Sequence, residues 1–211
     1  MKIKICGIKT IEAAQAAIDA GATHIGFVLF GKSPRNISPH DAGEIANKIK
    51  GKVATVIVTV NPTDELISET LLYFRPDYIQ LHGAETPKRV KEIKNKFDLG
   101  VIKAIPVRIK KDVEQAEKFK KFADYILFDA KPLPGMESPG GNALAFEWNI
   151  LHDIKVDYEW ILSGGLTPDN VQEAIKTSLA SFLDVSSGVE TSPGVKNNAL
   201  IGAFIKNSLT R

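Results

Sequence analysis

Two hydrophobic periodicities alternate along the chain from its first residues. Short apolar runs, such as the largely β-branched residues 53–60, follow the pattern of buried strands. Longer runs repeat apolar residues at helical spacing, as in the alanine-rich residues 11–20, which end at Gly21. The pattern predicts strands over residues 3–6, 24–30, 53–60, 78–82, 101–107, 124–130 and 182–185, and one more short strand that begins at Trp160 and ends in a loop of small residues. It predicts helices over residues 11–20, 39–50, 62–75, 87–97, 110–122, 146–154 and 197–209, and one more after Asn170.

Eight strands that alternate with helices predict an α/β fold, a parallel sheet covered by helices. The 211 residues suffice for one (β/α)8 barrel, the TIM barrel, and no linker divides them, so we expect a single domain over residues 1–211. Alternation within each strand then predicts which side chains face the barrel interior. Several polar residues fall on this face near C-terminal strand ends, where barrels carry their active sites. These residues are Lys4, Cys6, Gln80, His82, Asp129 and Asp184.

The last two predicted strands each run into a turn of small residues. The strand that begins at Trp160 ends in Gly164-Gly165, and the strand over residues 182–185 ends in Ser186-Ser187-Gly188. Such a turn before a helix exposes backbone N–H groups that can hold a phosphate. Taken singly, each turn is more often an ordinary strand–helix connection. Their position after strands seven and eight, where barrels often bind phosphate, favours a phosphate site.

The amino-acid composition argues against several classes of protein. The chain is 44% hydrophobic and 25% charged, and its formal net charge of +2 gives no large field for nucleic acid or an anionic membrane. No apolar stretch reaches membrane-spanning length, and no secretory signal precedes the first strand. The single cysteine, Cys6, cannot form an internal disulfide. We therefore expect a cytoplasmic protein without nucleic-acid or membrane partners, as a monomer or a homodimer.

Cys6 and Asp129 are the candidate catalytic residues. A lone cysteine is more often a small buried hydrophobe than a reactive thiol. At the barrel mouth, however, with Lys4 on the same face, a nearby ammonium favours the thiolate, and we expect Lys4 to lower the pKa of Cys6. Asp129 could simply cap a loop, but an inward carboxyl that is poorly solvated could act as a general acid.

Two further side chains have a binding and a structural interpretation. Arg35, in the loop after the second strand, could be solvated, or its guanidinium could hold a carboxylate at two points. His82 could be a satisfied polar residue of the core. The histidines are scattered, and no spacing predicts a metal site.

Six segments spread along the chain form a familiar combination. They are Lys4-Ile5-Cys6-Gly7-Ile8-Lys9, Ser33-Pro34-Arg35-Asn36-Ile37-Ser38, Gln80-Leu81-His82-Gly83, Phe128-Asp129-Ala130, Leu162-Ser163-Gly164-Gly165-Leu166 and Asp184-Val185-Ser186-Ser187-Gly188-Val189-Glu190. With these segments in the same order, the chain resembles the phosphoribosylanthranilate isomerase family of tryptophan biosynthesis from end to end. The segments at the first and last strands match the family most specifically.

The resemblance implies an Amadori rearrangement of a phosphosugar, N-(5-phosphoribosyl)anthranilate, without cofactor or metal. It assigns the general acid to Asp129, the general base to Cys6 and the carboxylate-binding arginine to Arg35. It places Asp184 beside the substrate and His82 in the same pocket. It places the phosphate on the loops that hold Gly164, Gly165, Ser186, Ser187 and Gly188.

One segment departs from the family pattern. The family commonly carries a lysine and a Phe-Asp-Trp sequence in the loop after strand six, whereas this chain has no such lysine and reads Phe146-Glu147-Trp148. The glycines and prolines of residues 131–142 lead us to expect a mobile lid there.

Rival assignments fit less well. The histidine-pathway isomerase uses two aspartates, where strand one here ends in Cys6. Indole-glycerol-phosphate synthase requires a lysine acid, and the tryptophan synthase α chain requires a glutamate–aspartate pair. A phosphosugar-binding protein that has lost its chemistry is the rival from another class, and the presence of both Cys6 and Asp129 disfavours it.

Overall fold

A computed structural model describes residues 1–130, 148–152 and 156–210. Eight strands pair in sequence order, each parallel to its neighbour, and β8 returns to β1 to close a barrel. The predicted (β/α)8 fold is therefore confirmed. The strands are β1 Lys2–Cys6, β2 His24–Val28, β3 Ala54–Thr59, β4 Tyr78–Leu81, β5 Gly100–Val107, β6 Tyr125–Ala130, β7 Trp160–Leu162 and β8 Phe182–Val185.

Helices cover the outside of the barrel. They are α1 Ile11–Ala20, α2 Pro39–Lys48, α3 Asp64–Tyr73, α4 Pro87–Phe97, α5 Lys110–Val113, α6 Asn149–His152, α7 Val171–Ser178 and α8 Asn198–Leu209. The side chains of Thr10, Ser38 and Thr86 accept hydrogen bonds from the first turns of their helices, which fixes where these helices begin. The C-terminal helix α8 packs beside α1 and α7, so the outer layer closes with the sheet.

Most element boundaries lie within two residues of the sequence prediction, and the larger differences are found in the helices. The helix expected over residues 110–122 is α-helical only in α5 and continues as a 3₁₀ helix, Glu114–Lys118. Its buried residues Val113, Ala116 and Phe119 recur every third residue, which matches the 3₁₀ repeat of three residues per turn. Pro62 precedes the capping residue of α3 instead of entering its first turn. Of the helix expected over residues 146–154, only α6 lies within the described residues.

A β-hairpin follows β8 that the sequence pattern did not predict. Its strands, β9 Glu190–Ser192 and β10 Val195–Lys196, pair antiparallel. The turn contains Gly194, which contacts the backbone oxygen of Pro34 so closely that a side chain at residue 194 would collide with it. The hairpin thus lies against the loop between β2 and α2.

The barrel interior is apolar and aromatic toward the N-terminal strand ends. His24 packs against the rings of Tyr78 and Phe182, and burial lowers the pKa of His24 to about 4, so this histidine is neutral near pH 7. Polar side chains concentrate toward the C-terminal ends, as the strand alternation predicts. No helix of the described residues combines the length and apolarity needed to cross a bilayer.

A buried ion pair fixes the loop that follows β4. Lys103 Nζ donates to Glu85 Oε2 at 2.8 Å and to the backbone oxygens of Leu81 and Gly83 at 3.0 and 2.8 Å. Glu85 accepts in turn from the backbone N–H groups of Asn61 and Gly83. Because both charged side chains are at most 3% exposed, the pair depends on these additional hydrogen bonds.

Replacing Lys103 by methionine should leave the Glu85 carboxylate buried without its cation. We expect Lys103→Met to lower the free energy of unfolding by about 3–5 kcal/mol, measured by urea denaturation. Lys88 provides the matched control, since its side chain is 88% exposed and pairs with Glu92 at 3.9 Å. Lys88→Met should change the stability by less than about 1 kcal/mol. Equal stabilities of the two variants would contradict this interpretation.

Candidate active site

The end of β1 and the end of β8 meet at the seam of the barrel. Lys4 and Asp184 are register partners there, and Lys4 Nζ donates to Asp184 Oδ1 at 2.9 Å with both side chains at most 5% exposed. Ser163 Oγ lies 3.3 Å from Asp184 Oδ2. Cys6 lies two residues further along β1, on the same interior face as Lys4. Both side chains crowd Gly26 of β2, where an added methyl group would lie 3.1 Å from Cys6 Sγ and from Lys4 Cε.

Burial and charge act on the Cys6 thiol in opposite directions. Burial raises its pKa above the ordinary value, and this is the largest influence. Lys4 opposes the increase as predicted from the sequence, Asp184 adds to it, and Lys196 provides a second cation that lowers the pKa. The predicted effect of Lys4 is thus present but does not outweigh burial. Lys4 is itself buried, which favours its neutral form, yet Asp184 and Cys6 raise its pKa overall.

Asp129 lies at the end of β6 beside His82, which follows β4. His82 Nε2 is 3.1 Å from Asp129 Oδ2, and His82 Nδ1 is 3.1 Å from the side-chain nitrogen of Gln80. Oδ1 of Asp129 has no hydrogen-bond partner within the described residues. About 29% of the Asp129 side chain is exposed, so this carboxyl is more accessible than expected from the sequence. Since β7 and β8 separate β6 from β1, Asp129 and Cys6 face the mouth from different parts of the ring.

Arg35 approaches the same mouth from the loop after β2. Its side chain crosses directly above Gly7, where an added methyl group would lie 2.8 Å from Arg35 Cδ. Its Nε and Nη2 atoms donate to Glu190 Oε1 and Oε2 at 2.8 and 2.7 Å. The guanidinium is therefore present at the mouth as predicted, but it has a partner within the protein that was not foreseen from the sequence.

The loops after β7 and β8 form a continuous backbone surface. Gly164 and Gly165 both have positive φ angles, 92° and 68°, and their N–H groups form no hydrogen bond with another described residue. Gly188 lies against the backbone oxygen of Leu166, so any side chain at residue 188 would separate the two loops. Ser186 Oγ donates to Cys6 O at 3.1 Å and joins this surface to β1. Free N–H groups on consecutive left-handed residues suit an anion such as phosphate.

Other features of the described residues do not compete with this site. No group of three or more His, Cys, Asp or Glu side chains among them has an arrangement that could hold a metal ion. A groove of about 750 Å³ opens at the opposite, N-terminal end of the barrel, lined by Thr23, Lys50 and Arg75 among others. That end of the fold serves stability in barrel enzymes, so the groove is a poor candidate for chemistry. The expected lid, residues 131–142, lies outside the described residues.

Comparison with known proteins identifies the family. A family model described as N-(5'-phosphoribosyl)anthranilate (PRA) isomerase matches residues 3–207. The chain belongs to this family. The N-(5'-phosphoribosyl)anthranilate isomerase of Brucella canis is 47% identical over 206 residues, which cover 98% of this chain and 93% of that protein.

Solved structures of phosphoribosylanthranilate isomerases have the same fold. The enzyme from Thermotoga maritima superposes with a TM-score of 0.88 at 37% identity, covering 99% of this chain and 98% of that one. A second isomerase structure is a complex with reduced 1-(o-carboxyphenylamino)-1-deoxyribulose 5-phosphate, and it superposes with a TM-score of 0.85 at 35% identity, covering 99% and 98% of the two chains. Family membership makes this chain an isomerase of tryptophan biosynthesis.

The structure adds three polar residues to the candidate site that were not selected from the sequence. Ser163 contacts Asp184, while Glu190 and Lys196 belong to the hairpin beside Arg35. In the sequence, Glu190 is marked only by its place at the end of a family motif. Lys196 is marked only indirectly. The preceding Ser192-Pro193-Gly194 segment is typical of a turn, which would reverse the chain just before Lys196.

The influences on Cys6 predict opposite effects for two variants. Lys4→Met removes a cation and should raise the pKa of Cys6, whereas Asp184→Asn removes an anion and should lower it. Because Cys6 is the only cysteine, the ultraviolet absorbance of its thiolate can be titrated with Cys6→Ala as the blank. An unchanged pKa in Lys4→Met, or shifts of the same sign in both variants, would contradict the assignment.

Gly7 and Gly51 form a matched pair for testing the position of Arg35. Their φ angles are 79° and 77°, so alanine at either residue costs similar backbone strain of about 1–2 kcal/mol. At Gly51 no atom of the described residues lies within 4 Å of the added methyl group, whereas at Gly7 the methyl group collides with Arg35. We expect Gly7→Ala to lower kcat/KM of the isomerase on the order of 100-fold. Gly51→Ala should keep wild-type activity, and equal losses in both variants would show that Arg35 is not the cause.

Proposed function

We propose that the chain converts N-(5-phosphoribosyl)anthranilate to 1-(2-carboxyphenylamino)-1-deoxyribulose 5-phosphate, with Asp129 as the general acid and Cys6 as the general base. The observation that carries this proposal is the placement of the two residues on separated strands of one barrel mouth, β6 and β1. The rearrangement places one proton on an oxygen and removes another from a carbon. It therefore requires an acid and a base on different sides of the sugar.

The first step opens the furanose ring. Asp129 donates a proton to the ring oxygen, the bond from C1′ to that oxygen breaks, and the anthranilate nitrogen forms an iminium with C1′. The contact with His82 suits this step, because a protonated Asp129 can donate to His82 Nε2 while it waits for substrate. His82 then carries its proton on Nδ1, which needs an acceptor in Gln80. Among the described residues the buried Gln80 side-chain oxygen has no partner, and a half-turn of that amide would place it against Nδ1.

The second step removes the proton from C2′. Cys6 accepts it as a thiolate, and the resulting enolamine tautomerises to the ketone of the product. Burial keeps the thiol protonated in the resting site, but the iminium formed in the first step brings a positive charge next to it. An opposite charge favours the ionised form, so after ring opening the thiol releases its proton to solvent water at the barrel mouth, and the thiolate can then accept the proton from C2′. Acid and base steps are thereby ordered.

Two anion sites hold the substrate ends on either side of this chemistry. We assign the phosphate to the backbone N–H groups around Gly164, Gly165, Ser186, Ser187 and Gly188, where the two loops meet. We assign the anthranilate carboxylate to Arg35, whose side chain passes beside Cys6 and Gly7. Asp184 is almost enclosed one layer beneath Cys6, so its effect on the substrate is transmitted through Lys4. His82 lies on the acid side of the same mouth.

The loss of anthranilate-like fluorescence, with substrate generated in situ, tests the proposal. We expect Asp129→Asn and Cys6→Ala each to lower kcat by about 10²–10⁴-fold, the usual contribution of a positioned acid or base. Asp98→Asn is the matched control, because the Asp98 side chain is 99% exposed and should leave the rate unchanged. Failure of the wild type to turn over would reject the reaction. A wild-type rate in Asp129→Asn would reject the acid assignment alone.

A further inference from the structure

We infer that Glu190 is a positioning residue for substrate selection: it holds the Arg35 guanidinium by one edge so that the other edge receives the aromatic carboxylate. The inference rests on the proposed function, in which Arg35 binds that carboxylate. Glu190 would act through Arg35 and would not contact the substrate.

The geometry divides the guanidinium into two edges. Glu190 occupies the edge formed by Nε and one hydrogen of Nη2, with distances of 2.8 and 2.7 Å. A guanidinium has five N–H donors, so three remain, on Nη1 and Nη2. Within the described part of the chain these three have no acceptor. Two parallel donors on this edge match a second carboxylate in a two-point contact.

Glu190 is itself fixed before it holds Arg35. Its side chain is 3% exposed, and each carboxylate oxygen accepts a second hydrogen bond from the hairpin, Oε1 from Lys196 Nζ at 2.7 Å and Oε2 from the Gly194 N–H at 3.2 Å. Lys196 Nζ also donates to Ser186 O at 2.9 Å. Burial alone would raise the pKa of Glu190, but the hydrogen bonds from Arg35 and Lys196 hold it below the ordinary value. The carboxylate is therefore charged and rigid.

A positioning role and a purely electrostatic role of Glu190 predict opposite changes in ligand affinity when its charge is removed. Arg35 and Lys196 carry two positive charges and Glu190 one negative charge, so the cluster has a net charge of +1. If only net charge mattered, removing the negative charge would strengthen binding of an anionic ligand. If Glu190 orients Arg35, its removal frees a side chain with many rotamers and weakens binding of the carboxylate. The sign of the change distinguishes the two effects.

The experiment compares two ligands by calorimetry. One is reduced 1-(o-carboxyphenylamino)-1-deoxyribulose 5-phosphate, and the other is the same compound without the carboxyl group. We expect Glu190→Gln to weaken binding of the first ligand about tenfold to a hundredfold, as for loss of a charge-assisted contact, and to leave binding of the second within about twofold. Glu190→Asp, which keeps the charge, should restore part of the selectivity. Ser192→Ala, an exposed change on the same hairpin, is the control.

A double-variant cycle separates positioning from general damage to the fold. In an Arg35→Met background, Glu190→Gln should cause no further loss of affinity for the carboxylated ligand. A merely structural role for Glu190 would lower the affinity for both ligands and would persist in that background. Equal losses for both ligands, an undiminished loss in the Arg35→Met background, or tighter binding of the carboxylated ligand to Glu190→Gln would each overturn the inference.

The same data distinguish this inference from the proposed function. If the wild type does not prefer the carboxylated ligand, or if Arg35→Met keeps that preference, the assignment of Arg35 to the carboxylate fails. If Arg35→Met loses the preference while Glu190→Gln keeps it, only the role of Glu190 is wrong.

Discussion

The buried ion pair between Lys4 and Asp184 determines how the barrel closes and where its chemistry lies. Two charges inside a ring of strands are costly unless they are paired and hydrogen-bonded, and here they pair across the β1–β8 seam with Ser163 as a third partner. Slipping β8 by one residue would turn Asp184 toward the helices and leave Lys4 buried without its partner. The register that buries this pair also places Cys6 at the mouth and carries the chain from β8 into the Ser186 loop.

The mouth is asymmetric in charge, and the asymmetry suits the proposed reaction. Lys4, Lys196 and Arg35 lie on the side of β1, where the proposed base and both proposed anion sites are found. The proposed acid, Asp129, lies on the side of β4 and β6, paired with His82. A thiolate in direct contact with a protonated carboxyl would simply take its proton. Here β7 and β8 lie between the two groups, and Asp129 and Cys6 form no hydrogen bond with each other.

Local periodicity predicted the strands, the closed barrel and the inward set that includes Lys4, Cys6 and Asp129, because a period of two assigns each strand residue to one face. The same alternation predicted that Lys4 acts on Cys6, but the other contacts that tune these residues were not predictable in this way. Arg35 and Glu190 are 155 residues apart, and they meet only because the hairpin after β8 folds against the loop after β2. The 3₁₀ continuation of α5 was missed for a different reason. Its apolar spacing of three is compatible with either helix type over so short a segment.

Ser186 links the parts of the site that handle the two anionic ends of the proposed substrate. Its hydroxyl holds the backbone of Cys6, its carbonyl receives Lys196, and Lys196 in turn holds Glu190 and thereby Arg35. The phosphate loops abut the same segment through Gly188 and Leu166. These hydrogen bonds connect the two proposed anion sites to each other. A ligand bound at both sites would therefore be held in a fixed position relative to Cys6, which lies between them. Because this frame of hydrogen bonds is ordered within the protein itself, little ordering remains to be done when the proposed substrate binds, and in the proposed reaction its C2′ proton would be presented to Cys6 in a restricted geometry.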